Sequence, residues 1–125
     1  MSAGDDILIE VKSLYIPGQS DPKAKRYVFA YTISITNRGK EPAKLLSRYW
    51  QITDGRNKVE EVRGEGVIGE QPRLLPGGNF TYSSGAVIKT PFGTMEGAYQ
   101  FRTDDGRLFD VPIPLFALTM PGALH

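Results

Sequence analysis

Tyr27-Val28-Phe29-Ala30-Tyr31-Thr32-Ile33-Ser34-Ile35-Thr36 decides how the rest of the chain is read. Successive side chains of an extended strand point to opposite faces, so Tyr27, Phe29, Tyr31, Ile33 and Ile35 share one face. Val28, Ala30, Thr32, Ser34 and Thr36 share the other, and both sets are rich in the β-branched and aromatic residues that suit a pleated surface. Upstream, Ile7, Ile9 and Val11 alternate in the same way and predict a first strand ending near Ile16. Between the two, Pro17, Gly18, Ser20, Asp21 and Pro22 predict a mobile loop to Lys25 without a regular element.

Downstream, Asn37, Gly39 and Pro42 mark a turn, and a third strand follows. Strict alternation there puts Leu46, Arg48, Trp50 and Ile52 on one face and Leu45, Ser47, Tyr49 and Gln51 on the other. Asp54-Gly55 begins the next turn, Val59 to Arg63 predicts a short strand, and Gly64 to Gly69 reads as a glycine loop. After a bend at Pro72, Pro76, Gly77 and Gly78 comes a short strand with Phe80 and Tyr82 on one face; Gly85 to Gly93 reads as loop or a broken edge segment. Met95 to Thr103 and Leu108 to Leu115 form a hairpin about Asp105-Gly106. In its second arm Phe109, Val111, Ile113 and Leu115 face one way, and Pro112 and Pro114 mark an edge strand because proline cannot donate to a ladder.

No window has the apolar spacing of an amphipathic helix without a glycine or proline inside it. The chain is therefore expected to be all-β, an immunoglobulin- or fibronectin type III-like antiparallel β-sandwich of about seven or more strands. A closed small barrel is the alternative. At 125 residues, 40% hydrophobic and 23% charged, residues 1–125 read as one folded domain.

Composition removes several function classes. There is no cysteine, so disulfides, thiolate metal sites and a thiol nucleophile are excluded. The single histidine is His125, at the chain's end, which leaves no internal histidine for acid–base catalysis or metal ligation. No metal site and no cofactor is expected, since no segment carries alternating acidic ligands either. A formal net charge of +1 argues against a broad nucleic-acid-binding field. Met1 to Asp6 lacks the basic and apolar regions of a signal peptide, and no apolar run suits a membrane span, so the chain reads as soluble and cytoplasmic.

Two constellations stand out. Gly64-Glu65-Gly66-Val67-Ile68-Gly69 has the spacing G-x-G-x-x-G, in which glycines let a backbone wrap a pyrophosphate. A dinucleotide site needs a helix directly after that motif, and Gln71-Pro72 followed by Pro76-Gly77-Gly78 forbids one; Glu65 would also set a negative charge beside the phosphates. A loose anion nest and a tight structural loop remain as readings. Arg48 and Trp50 share a strand face, the composition of an interface hot spot or a stacking platform. The plain structural reading puts Trp50 in the sandwich core and Arg48 at its rim.

These strings together resemble the ApaG family of small bacterial proteins, whose domain also occurs in eukaryotic F-box and polymerase-interacting proteins. The resemblance rests on Tyr27-Val28-Phe29-Ala30-Tyr31 with Ile35 and Asn37, on Arg48-Tyr49-Trp50-Gln51-Ile52-Thr53-Asp54, and on Val62-Arg63-Gly64-Glu65-Gly66-Val67-Ile68-Gly69-Glu70-Gln71-Pro72. It continues through Leu75-Pro76-Gly77, Thr90-Pro91, Gly97, Tyr99, Asp105-Gly106 and Ile113-Pro114. It implies a fibronectin type III-like sandwich, an association with cobalt resistance and magnesium efflux, and a nucleotide or pyrophosphate proposal that falls here on Gly64, Gly66 and Gly69. Without a membrane span or soft ligands, any role in metal handling must be indirect.

The leading expectation is a non-enzymatic module that binds an unidentified protein partner, with an edge strand as a route to a homodimer. Its candidate binding loop is Arg63, Gly64, Glu65, Gly66, Gly69, Gln71, Pro72 and Arg73, and its candidate interface residues are Arg48 and Trp50. A phosphate binder should gather Arg63, Arg73 and Arg48 around the glycine loop; a protein-binding face should be apolar and uncharged. Gly66→Val separates a functional loop from a structural one. A loss of binding exceeding the loss of thermal stability marks the first, and equal losses mark the second.

Overall fold

The computed structural model describes residues 6–123. The expectations about the opening residues before Asp6 and about His125 lie outside that range. Eight strands run in the order β1 (Ile7–Tyr15), β2 (Tyr27–Asn37), β3 (Ala43–Asp54), β4 (Val59–Glu65), β5 (Arg73–Leu74), β6 (Asn79–Ile88), β7 (Phe92–Thr103) and β8 (Leu108–Thr119). A sheet of order β1-β2-β6 faces one of order β4-β3-β7-β8, with β5 paired to the start of β3; all pairings are antiparallel. Two separate sheets make this a sandwich of fibronectin type III shape rather than a closed barrel.

The core follows the alternation of the deciding strand. Phe29, Tyr31, Ile33 and Ile35 of β2 are buried and meet Leu45, Trp50, Met95, Tyr99, Phe101 and Leu118 of the opposite sheet. Pro112 and Pro114 sit on β8, which pairs only with β7, as proline requires.

Four local expectations are corrected. Strict alternation fails in β3, because a β-bulge between Leu45 and Ser47 inserts Leu46 as an unpaired residue. Leu45 therefore turns inward and is 0% exposed, on the same side as Trp50. A second bulge, between Met95 and Gly97 of β7 and their partners Phe116 and Ile113, throws Leu115 outward at 58% exposure. The segment from Gly85 is strand as far as Ile88, so β6 is a continuous ten-residue edge rather than a broken one. Pro17–Gln19 and Pro22–Ala24 form single turns of 3-10 helix, each led by the fixed φ of a proline, where no regular element was expected.

Two tyrosines bury their hydroxyls along with their rings. Tyr82 of β6 and Tyr99 of β7 bring their hydroxyls together across the core at 2.5 Å, both rings buried. Burial pushes the Tyr82 hydroxyl up from the ordinary 10.0 to about 12, and burial with the neighbouring Tyr82 raises Tyr99 as well. Both folded-state values lie above the unfolded ones, so their stabilising effect is complete below pH 10 and declines above it, that of Tyr82 being lost as pH rises through about 12. Tyr82→Phe should cost about 1–2 kcal/mol at neutral pH by stranding the Tyr99 hydroxyl, and should flatten the alkaline fall in stability. Urea unfolding of both proteins from pH 7 to 11 checks this; parallel alkaline slopes would contradict it.

Candidate functional site

β4 runs past Arg63 to Glu65, so Gly64 is a strand residue opposite Arg48, not part of a loop. Arg48 lies on the inward side of β3, where an unpaired guanidinium would be costly. Its side chain crosses beneath β4 and Nη1 donates to the carbonyls of Glu65 and Gly66, both at 3.0 Å. Gly64 makes this passage available: a Cβ there would stand 2.7 Å from the guanidinium.

Beyond it the chain turns sharply. Gly66 has φ +61°, and a Cβ on it would lie 2.2 Å from the Glu70 carbonyl oxygen. Val67 is fully buried and anchors the segment to the core. Val67 and Glu70 exchange N–H···O bonds of 2.8 and 2.9 Å around Ile68 (φ 44°) and Gly69 (φ 81°). Positive φ at both central residues is the two-residue turn that matches strand twist. The bulged residue Leu46 ties the hairpin down, its carbonyl accepting from the Gly66 N–H at 2.8 Å and from Gln71 Nε2 at 2.9 Å. The Pro72 carbonyl accepts from the Leu45 N–H at 2.9 Å.

The amides of Val67 and Glu70 are therefore spent inside the hairpin, and that of Gly66 on β3. Of the three arginines Arg48 reaches the hairpin, through backbone carbonyls, and shares a hollow with Arg63, Gly64 and Glu65, whereas Arg73 is drawn away. Arg63 lies over the Tyr49 ring, 4.3 Å from its centroid, and 3.6 Å from the Glu61 carboxylate. Tyr49 donates its hydroxyl proton to that carboxylate at 2.8 Å, which raises its pKa. Arg73 makes a two-pronged bond to Asp104 at 3.0 and 2.5 Å, beside the β7–β8 turn, and this bond holds the Asp104 carboxyl below its ordinary value. Trp50, a candidate interface residue, is 3% exposed and belongs to the core, because the strand turns its face inward against Tyr31, Tyr99 and Phe116.

A residue that the spacing motif treats as filler is the large apolar side chain left outside. Ile68, 56% exposed, occupies a left-handed backbone conformation that a β-branched residue rarely adopts. The signal in the sequence was a β-branched residue directly before glycine in a two-residue turn.

The hollow at the far end of the sandwich carries no convergent chemistry. Of about 800 Å³ and near Asn37, it has walls of both signs, and its Arg107 is paired with Glu41 at 2.6 Å. Among the described residues no three His, Cys, Asp or Glu side chains converge as metal ligands, and no helix is long and apolar enough to cross a membrane.

Fold and site together define a small fibronectin type III-like β-sandwich that carries a locked glycine hairpin on one sheet edge. The ApaG domain model matches residues 17–103, and the chain belongs to the ApaG family. It is similar to Protein ApaG of Aromatoleum aromaticum, 58% identical over 100% of both chains, and to Protein ApaG of Cronobacter sakazakii, 49% identical over 100% of both. A solved structure described as an ApaA protein from Bordetella pertussis is 51% identical, with a TM-score of 0.91 over 94% of this chain and 95% of that one.

The two turn glycines should respond differently to substitution. Gly66→Ala meets a backbone oxygen and should cost about 2–3 kcal/mol. Gly69→Ala meets open space, with nothing within 4 Å, and should cost only the left-handed backbone penalty of about 1 kcal/mol. Chemical denaturation of the two variants measures both; equal costs would show that the Glu70 carbonyl moves aside.

Proposed function

We propose that the protein is a non-enzymatic, cytoplasmic interaction module whose glycine hairpin presents Ile68 to a protein partner. Ile68 carries this reading. Glycine or asparagine would fit that turn position with less strain, yet a bulky apolar side chain stands there, exposed, on a hairpin fixed by Arg48, Val67 and Gln71. A rigid apolar knob is inexpensive to dock, since little freedom is lost on binding. Of the groups that phosphate binding would use, three amides, Arg48 and Arg73 serve internal bonds. The association with cobalt resistance and magnesium efflux that the family resemblance implies is then indirect, exerted through the partner.

Ile68→Gly should stabilise the isolated protein by about 1 kcal/mol through relief of the left-handed strain, while weakening partner capture. Thermal unfolding and quantitative affinity enrichment from a bacterial lysate give the two readouts. Unchanged capture would remove Ile68 from the interface. Calorimetric titration with ATP and with diadenosine tetraphosphate, with and without magnesium, should give no heat up to millimolar ligand. Saturable micromolar binding would overturn the module reading in favour of a nucleotide or pyrophosphate site at residues 64–69.

A further inference from the structure

A sandwich of two open sheets has four edges, and three of them are protected. β1 and β8 lie side by side, with Ser13 Oγ donating to the Ala117 carbonyl at 2.8 Å, and β8 carries Pro112 and Pro114. β4 has Glu60, Glu61, Arg63 and Glu65 among seven residues, and Arg48 takes the Glu65 carbonyl. Charge, proline and side-chain capping are the devices that keep edges from pairing with other chains. β6 has none of them: Asn79–Ile88 contains no charged residue and no proline.

The free groups on β6 follow from the hydrogen-bond phase. Ile16 N–H donates to the Val28 carbonyl at 2.8 Å and Arg38 N–H to that of Asp6 at 2.7 Å, so the even-numbered residues of β2 bond to β1. Its odd-numbered residues bond to β6, as the 2.9 Å bond from Asn37 N–H to the Gly78 carbonyl shows. With Ile33 opposite Tyr82, the even-numbered residues of β6 bond inward. The N–H and C=O groups of Thr81, Ser83, Gly85 and Val87 project from the open edge.

One end of that edge is strongly charged. Lys89 follows β6 directly, and Lys25, Arg56 and Lys58 line the same hollow with it. The carboxylate there, Asp54, already accepts the amides of Arg56 and Lys58 at 2.8 and 2.9 Å. Among the described residues none of these four cations makes an ion pair. Beside them Ile52, Val87 and Ile88, with Lys58 and Lys89 and the carboxylates of Asp54 and Glu60, line a pocket of about 120 Å³, room for one aliphatic side chain.

We propose that β6 is a docking edge for an extended segment of a partner protein, which adds antiparallel as a strand. The segment is uncharged and β-branched along β6, puts one aliphatic side chain between Ile52 and Ile88, and carries acidic residues at its N-terminal end, beside Lys58 and Lys89. The proposal rests on the interaction-module reading and names the chemistry of the partner. The edge fixes an extended backbone, and the four cations, which outnumber the one carboxylate in their hollow, fix the acidic end.

The test is selection of random linear displayed peptides on the wild-type protein, followed by affinity measurement with the enriched peptide. Enriched sequences should combine consecutive acids with alternating β-branched residues that follow them. Affinity should fall by at least about tenfold in Lys58→Glu/Lys89→Glu, whose positions are exposed, and should weaken with added salt. Ser83→Pro removes one outward N–H and should abolish binding. Because that variant can also lose stability, N-methylation of alternate peptide amides provides the same test on the unaltered protein. Enriched peptides without acids, peptides insensitive to both variants and to N-methylation, or no enrichment would overturn the docking edge. Those outcomes leave the module reading standing, which falls instead to nucleotide binding. A wild-type dimer that Ser83→Pro converts to monomer would assign the edge to a second copy and overturn the proposal.

Discussion

Trp50 is the contact on which the two sheets are hung. From β3 its indole meets Tyr31 of β2 at 5.5 Å, Phe116 of β8 at 5.9 Å and Tyr99 of β7 at 6.4 Å, each nearly edge-to-face. Such pairs contribute about 0.5–1.5 kcal/mol each beyond the area they bury. Their geometry fixes how β3 lies between its neighbours. The Tyr82–Tyr99 hydroxyl bond extends the same joint toward β6 and leaves no polar atom of the pair without a partner. With the interior thus fixed, each outward group on β3, β4 and β6 has a defined position.

Arg48 follows from that placement. Two residues before Trp50 on the same face, its guanidinium needs acceptors near the core rim, and the Glu65 and Gly66 carbonyls supply them. The bulge at Leu46 turns another carbonyl to the Gly66 amide and Gln71. The three glycines of G-x-G-x-x-G therefore answer three separate demands: room for a guanidinium at Gly64, a left-handed corner against Glu70 at Gly66, and the second position of a two-residue turn at Gly69. Their spacing imitates a phosphate-binding motif while the Gly66 amide is spent on the Leu46 carbonyl.

That coincidence shows which features a sequence reveals. Period-two alternation located β1, β2, β7 and β8, and the buried Trp50, because each depends on residues adjacent in the chain. The family resemblance rested on long strings and held for the same reason. The bulges at Leu46 and in β8 were not legible, since they arise from how a strand meets a partner far away in sequence, and one extra residue reverses every later face. Gly85 looked like a break because glycine weakens an isolated strand, whereas opposite Ala30 it is simply one rung of a ladder. The site was the least legible part. Which amides of a glycine loop are free depends on where Leu46 and Glu70 point, and no spacing rule encodes that.

Strain and unpaired backbone groups are costs that a packed sandwich ordinarily removes, so their location carries information. The outward face beside β6 is internally satisfied: Thr32 and Ser83 bond at 2.7 Å, and Asn79 donates to Ser34 and Thr36 at 2.8 Å each. These cross-strand bonds hold β6 straight against β2, with polar side chains on the outer surface and unpaired backbone groups along its edge. A strand held in that way loses little freedom when another chain pairs with it, and the same holds for an isoleucine fixed on a locked turn. Protection of three edges argues that the fourth is uncovered for a reason other than neglect: an open, uncharged strand is an aggregation hazard, tolerable where binding uses it.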